Sequence, residues 1–223
     1  MSVDATSLLR LEKTSLREQA LSSLRKAITT GQLRPGTHLV ETELSEALQI
    51  SRGTLREAMR QLQQEGLISA GARGRLSVRH LDSKEIRDIF DVRAALESMA
   101  ARALAARPDR AEVVTALRAA VDDMDRWAGS NLEDRIEADL RFHRTMCELT
   151  GNVTLLHQWT SLEGSIRMSI MFAGVDRAIK NMNAKRHHDI VDAIESGDGD
   201  KAAAGVFHHM AEAADTLVSE AET

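Results

Sequence analysis

The sequence predicts a mainly α-helical chain: an N-terminal winged helix-turn-helix followed by a C-terminal antiparallel six-helix bundle. Three observations carry this reading. Two prolines, no tyrosine and abundant Ala, Leu, Glu and Arg in 223 residues favour helix. Apolar residues recur at helical spacing along most of the chain, interrupted at Gly, Pro and Asp joints. Two short β-like runs, at residues 67 to 70 and 76 to 78, flank a glycine-bearing tip.

The hydrophobic fraction of 43% with 28% charged residues is that of a globular protein, and no apolar run approaches a membrane span. The N-terminus lacks an export pattern, so a cytoplasmic protein with no membrane partner is expected. A single cysteine, Cys147, excludes an internal disulfide. The net charge of −5 is unevenly divided. Residues 1 to 80 carry 12 Lys and Arg against 8 Asp and Glu, a balance of +4, which leaves −9 for the remainder. The first part suits a polyanion, and the second repels one.

Residues 1 to 14 show no periodicity and read as a flexible arm. The first domain spans residues 15 to 80. Leu16, Ala20, Leu24, Ala27 and Ile28 mark an amphipathic helix stopped by Gly31. Pro35-Gly36 is a turn, His38-Leu39-Val40 reads as a short strand, and residues 41 to 48 form a short helix. Gln49-Ile50 then connects tightly to the stretch on which the domain is organised. There Ser51 is an N-cap, Leu55, Ala58, Met59 and Leu62 form one apolar stripe, and Gly66 ends the run. Arg52, Arg56 and Arg60 lie on another stripe. On its own, such a stripe is either a solvated face or a face laid in the major groove of DNA. The preceding short helix makes a helix-turn-helix, and the tip with Arg73, Gly74 and Arg75 adds a basic wing, which together point to DNA.

Several motifs in residues 16 to 80 resemble the winged-helix domain of the GntR family of bacterial transcription regulators. They are Ile28-x-x-Gly31-x-Leu33-x-Pro35-Gly36, Glu41-x-x-Leu44-Ser45, Ser51-Arg52-x-x-Leu55-Arg56-Glu57-Ala58 and Leu62-x-x-Glu65-Gly66-Leu67. The resemblance implies that Arg52, Thr54 and Arg56 touch operator DNA and that Gly74, with Arg73 and Arg75, forms the wing tip. Two positions depart from the family pattern. Gly53 stands where a larger polar residue is common, and Thr42 stands where some members carry an arginine.

Residues 82 to 223 read as a second domain for effector binding and dimerisation. Asp82-Ser83 caps a helix that runs through Ile86, Phe90, Arg93 and Glu97 to Arg107, and Pro108-Asp109 breaks it and caps the next, at 111 to 128. Further helices are expected at 132 to 149, 152 to 172, 176 to 196 and 200 to 220. Short joints make the six antiparallel.

Asp139 and His143 share one face of the third of these helices, His187 and His188 lie in the fifth, and His208 and His209 in the sixth. A carboxylate and three imidazoles from three helices suit a divalent metal with open positions. Spacing alone leaves open the plainer alternative of ordinary core or surface histidines. Helix phase sets His187 three and seven residues before Ile190 and Ile194, and His209 on a stripe with Ala202, Val206 and Ala213.

This domain resembles the FCD effector domain of the FadR branch of the same family, in its VanR-like subgroup. The matching segments are Arg93-x-x-x-Glu97, Asp139-x-x-Phe142-His143 with Gly151-Asn152, His187-x-x-Ile190-x-x-Ala193-Ile194-x-x-Gly197-Asp198, and Ala202 with His209. The resemblance implies a divalent metal on Asp139, His143, His187 and His209: zinc first, with nickel, manganese or iron also compatible. It further implies a homodimer on a pseudo-palindromic operator, most members being repressors released by an effector. Open metal positions favour a small carboxylate as effector. Arg93 and Arg167 are candidates for its second anionic group, with a salt bridge to Glu97 the alternative for Arg93 and simple solvation for Arg167. A metalloenzyme acting on a small organic acid and a metal sensor are the rival functions. Against an enzyme stands the lack of a recognisable general base, paired Glu-x-x-His motifs or a Gly-rich nucleotide loop.

Overall fold

The computed structural model describes residues 15–71 and 74–219. The expected arm at residues 1 to 14 and the side chain of Arg73 therefore lie outside the described residues. The chain divides into two compact units. Among the described residues, no helix is long and apolar enough to cross a membrane.

The first unit contains α1 (Leu16–Thr29), α2 (Glu41–Ala47), α3 (Arg52–Gln64), β1 (Ile68–Ala70) and β2 (Leu76–Val78). Ser15 starts α1 through a reciprocal pair: its hydroxyl accepts from the Glu18 N–H at 3.2 Å, and the Glu18 carboxylate accepts from the Ser15 N–H at 2.9 Å. Leu24 and Ile28 of α1 are buried, as are Leu55, Ala58, Met59 and Leu62 of α3, and the two helices pack together. Gln49, between α2 and α3, takes φ 53°, the left-handed conformation that lets so short a link reverse the chain. The Ser51 hydroxyl caps α3 by accepting from the Thr54 N–H at 3.1 Å. β1 and β2 pair antiparallel with Ile68 opposite Val78. The strand expected at residues 38 to 40 reduces to an isolated bridge between His38 and Ser77, with Leu39 N–H donating to the Leu76 carbonyl at 2.9 Å.

The second unit contains α4 (Ser83–Ala105), α5 (Arg110–Trp127), α6 (Leu132–Leu149), α7 (Val153–Phe172), α8 (Val175–Asn181), α9 (Ala184–Glu195) and α10 (Gly199–Val218). Side chains of Asp82, Asn131, Asn152 and Asp198 accept from first-turn N–H groups of α4, α6, α7 and α10. α10 lies along α4, α5 packs on α6 and α9, and α6 on α7. Phe90, Leu104, Leu117, Phe142, Trp159 and Ile194 are among the buried side chains of their shared core.

Two local expectations are corrected. The segment 176 to 196 is two helices rather than one, because Asn183 leaves helical geometry and its side chain accepts from the Lys185 N–H at 2.9 Å. The bundle thus has seven helical segments among the described residues. Asp109 precedes α5 but does not cap it by its side chain, since its carboxylate is engaged by Arg107 at 2.7 Å. Losing a side-chain cap costs about 1 kcal/mol. Asn183→Ala is therefore expected to lower Tm by about 2–4 °C, measured by thermal melting followed by circular dichroism.

Candidate functional site

Four helices of the second unit turn polar side chains into its core: Glu97 from α4, Asp139 and His143 from α6, His187 from α9 and His209 from α10, all buried. Such groups need partners, because losing water without a compensating bond is costly. Glu97 has them. Burial alone would raise its carboxyl, but the charge of Arg93 and the hydrogen bonds from His143 and Arg93 outweigh this and hold it down at about 2. It is therefore an ionised acceptor. Its Oε1 takes hydrogen bonds from Arg93 Nε and Trp159 Nε1, each at 2.7 Å, and its Oε2 lies 2.6 Å from His143 Nδ1.

An acceptor-only partner fixes the proton of His143 on Nδ1. The Nδ1 of His187 lies 2.9 Å from the Asn183 carbonyl, an acceptor that orients this second ring. The neutral His143 ring then directs its Nε2 lone pair inward, and the Nε2 atoms of His143 and His187 are 3.1 Å apart. Asp139 Oδ1 adds further negative charge 3.2 Å from His187 Nε2. Burial, then the charge of Arg93, holds the His143 imidazolium below its usual range, so the ring stays neutral. Burial pushes His209 well below its usual range. Asp139 Oδ2 and His209 Nδ1 are buried without a hydrogen-bond partner among the described residues. Donor atoms of His143, His187 and His209 lie within 4.8 Å of one another.

Two ring nitrogens and a buried carboxylate oxygen thus face one another in the core. A cation placed among the three rings would bind one nitrogen of each. Three imidazoles, with the Asp139 carboxylate beside one of them, suit a divalent transition metal, and Glu97 and the Asn183 carbonyl are the outer partners that orient two of the rings.

The histidine doublets divide: His208 is on the surface, 3.0 Å from Glu212, and His188 is half-buried. Arg93 pairs with Glu97 and lies 5.3 Å from the Phe90 ring centroid, while its buried Nη2 has no partner among the described residues. Arg167 is held by Glu137 of α6, with Glu163 at 4.0 Å, and is not solvated freely. Cys147 is a buried thiol that burial pushes upward in pKa, a packing residue. Sequence reasoning missed two roles here. Glu97 falls on the buried stripe of α4 with Phe90, Ala94, Ala101 and Leu104, a signal that could have marked it as a core carboxylate. For Trp159 no spacing identifies the acceptor of its N–H.

In the first unit Arg52, Arg56 and Arg60 are exposed on α3, on a stripe separate from its buried one. Arg56 Nε donates to Glu41 at 2.8 Å and Arg60 to Glu57 at 2.6 Å. The Thr54 hydroxyl is 2.9 Å from that of Ser51. Gly74 is exposed at φ 72°, a conformation that favours glycine, and Arg75 beside it is exposed.

The family described as bacterial regulatory proteins, gntR family, matches residues 16–78, and the FCD domain matches residues 88–212. The probable D-xylose utilization operon transcriptional repressor of Paenarthrobacter nicotinovorans is 31% identical over 211 residues, covering 94% of this chain and 91% of that protein. The Nta operon transcriptional regulator of Aminobacter aminovorans is 28% identical, covering 79% and 82%. A solved structure of a GntR transcriptional regulator from Rhodococcus sp. RHA1 has the same fold, with a TM-score of 0.72 at 23% identity over 91% of this chain and 97% of that one. These families and relatives are transcriptional regulators, not enzymes.

Glu97→Gln removes the charge that compensates buried Arg93. Breaking a buried pair from one side costs about 3–5 kcal/mol. Urea unfolding is expected to show that loss, whereas Lys84→Gln, at an exposed pair with Asp88, leaves the midpoint unchanged.

Proposed function

The chain belongs to the GntR family of bacterial regulatory proteins and is a transcriptional regulator, and on that premise we propose that it is a repressor whose operator affinity responds to a small carboxylate bound at a divalent metal in the second unit. The repressor assignment draws on the relative that carries that name. The metal-dependent response rests on one observation: two imidazole Nε2 atoms facing each other at 3.1 Å beside a buried carboxylate.

Asp139, His143, His187 and His209 hold the ion, zinc first among the candidates. When bound, the metal supplies a Lewis-acid position for an anionic oxygen. Arg93 remains on Glu97 through Nε and offers its buried Nη2 to a second anionic group of the effector. Arg167, already held by Glu137, contributes the lesser part. Arg52, Thr54 and Arg56 of α3 contact the operator in the major groove, and Gly74, with Arg73 and Arg75, follows the neighbouring backbone. A homodimer presents two such helices to half-sites of a pseudo-palindrome about one helical turn apart, and the site of action is the cytoplasm. The effector acts by binding one arrangement of the dimer better than the other.

Fluorescence anisotropy on DNA from upstream of the chain's own gene tests the first half. Arg52→Ala and Arg56→Ala are each expected to weaken binding at least about tenfold with Tm retained, and unchanged affinity in both removes α3 from the interface. Thermal shift tests the second. Zinc added to chelator-stripped protein raises Tm through preferential binding to the folded chain, and His187→Ala with His209→Ala abolishes that rise. A Tm indifferent to zinc in the parent chain contradicts the metal site.

A further inference from the structure

A second cavity in the same unit carries charge that neither the histidine cluster nor the DNA-contacting helix uses. It has a volume of about 640 Å³ and is walled by α5, α6, α8 and α9. Asp139, His143, His187 and His209 are all absent from its wall. Arg135, Lys180, Lys185 and His188 are on it, with Asp125 the sole carboxylate among the described residues.

The pairing pattern of the unit makes this group unusual. Every other arginine of α4 to α10 is bonded to a carboxylate or a backbone carbonyl: Arg87 to Asp215, Arg118 to Asp192 and Glu195, Arg186 to Glu212, and so through the rest. Arg135 has no side-chain partner among the described residues, although this part of the chain carries an excess of acid. Lys180 and Lys185 beside it are likewise unpaired among the described residues. In a domain where carboxylates outnumber cations, three cations left unpaired around one cavity amount to a preformed anion site.

We propose that this cavity binds a doubly charged small organic anion with an apolar body, such as a phosphate monoester. Arg135, Lys180 and Lys185 against Asp125 leave a surplus of two positive charges, which a dianion neutralises. The N-terminus of α9, entering the wall at Asn183, Ala184 and Lys185, adds its partial positive charge. Met124 and Met182, both buried, give the wall a polarizable surface that adapts to an apolar group. The volume lies within the range of small-molecule sites. The anion meets guanidinium and ammonium groups directly, so the site works without a metal and is separate from the one proposed for the effector.

Isothermal titration of chelator-stripped, full-length protein with phenyl phosphate tests this. The expected result is saturable binding that metal loading leaves unchanged, weakened tenfold or more by Arg135→Gln and also weakened by Lys185→Gln. Lys201→Gln, which neutralises an exposed lysine outside the cavity, leaves the affinity as in the parent. Thermal melting verifies that each variant is folded, and exposed Lys185 carries the test if Arg135→Gln is not. No binding at millimolar phenyl phosphate overturns the proposal. So does binding that requires metal, which assigns the anion to the histidine cluster, or an equal loss in Lys201→Gln, which marks nonspecific charge attraction. Because the protein is stripped, failure here leaves the metal-dependent reading standing, and failure of that reading leaves this one standing.

Discussion

An ionised carboxylate in the middle of a helical core governs the geometry of the second unit. Glu97 is fully buried, and it stays charged because Arg93, Trp159 and His143 all direct N–H groups at it. That arrangement joins α4, α6 and α7 at one point. It also fixes the proton of His143 on the nitrogen that faces away from the cluster. A neutral glutamic acid or a glutamine in its place would free the His143 ring to turn or change tautomer. The lone pair that meets His187 would no longer be constrained.

The same logic runs through α9 by a different device. The break between α8 and α9 puts the Asn183 carbonyl where His187 Nδ1 can donate to it, while the Asn183 side chain caps the new helix. One residue therefore starts the helix and orients the imidazole that the helix carries. The two rings are set by unlike partners, a carboxylate and a main-chain carbonyl, yet both point Nε2 at the same place. Convergence of this kind places polar atoms where ordinary packing of a helical bundle places apolar ones.

Much of this was legible from spacing. The apolar stripe of α3, with Leu55, Ala58, Met59 and Leu62, separates cleanly from Arg52, Arg56 and Arg60, so helix and exposed face were both readable. Ser51, Asp82 and Asn152 are caps whose chemistry is local and therefore visible in sequence. What depends on tertiary contact was not readable. Asp109 looks like a cap, but a nearby arginine claims it. Asn183 sits inside a run with helical periodicity, and nothing local says that the chain bends there. Periodicity sets His187 and His209 on buried faces, but the 3.1 Å approach of His143 to His187 is a distance between helices, which no pattern within one helix encodes. Arg93 shows the limit most clearly: its i to i+4 spacing to Glu97 announces the pair, whereas the burial of both, and the Nη2 left over, comes from helices far away in sequence.

The most direct measurement is X-ray absorption at the zinc edge on the zinc-loaded full chain. The expected spectrum shows one tightly held ion per chain with nitrogen and oxygen neighbours at about 2.0–2.2 Å, an imidazole multiple-scattering pattern from three histidines, and no sulfur. Zinc that washes away, or a spectrum without histidine scattering, would contradict the account and return Asp139, His143, His187 and His209 to the role of a buried polar network.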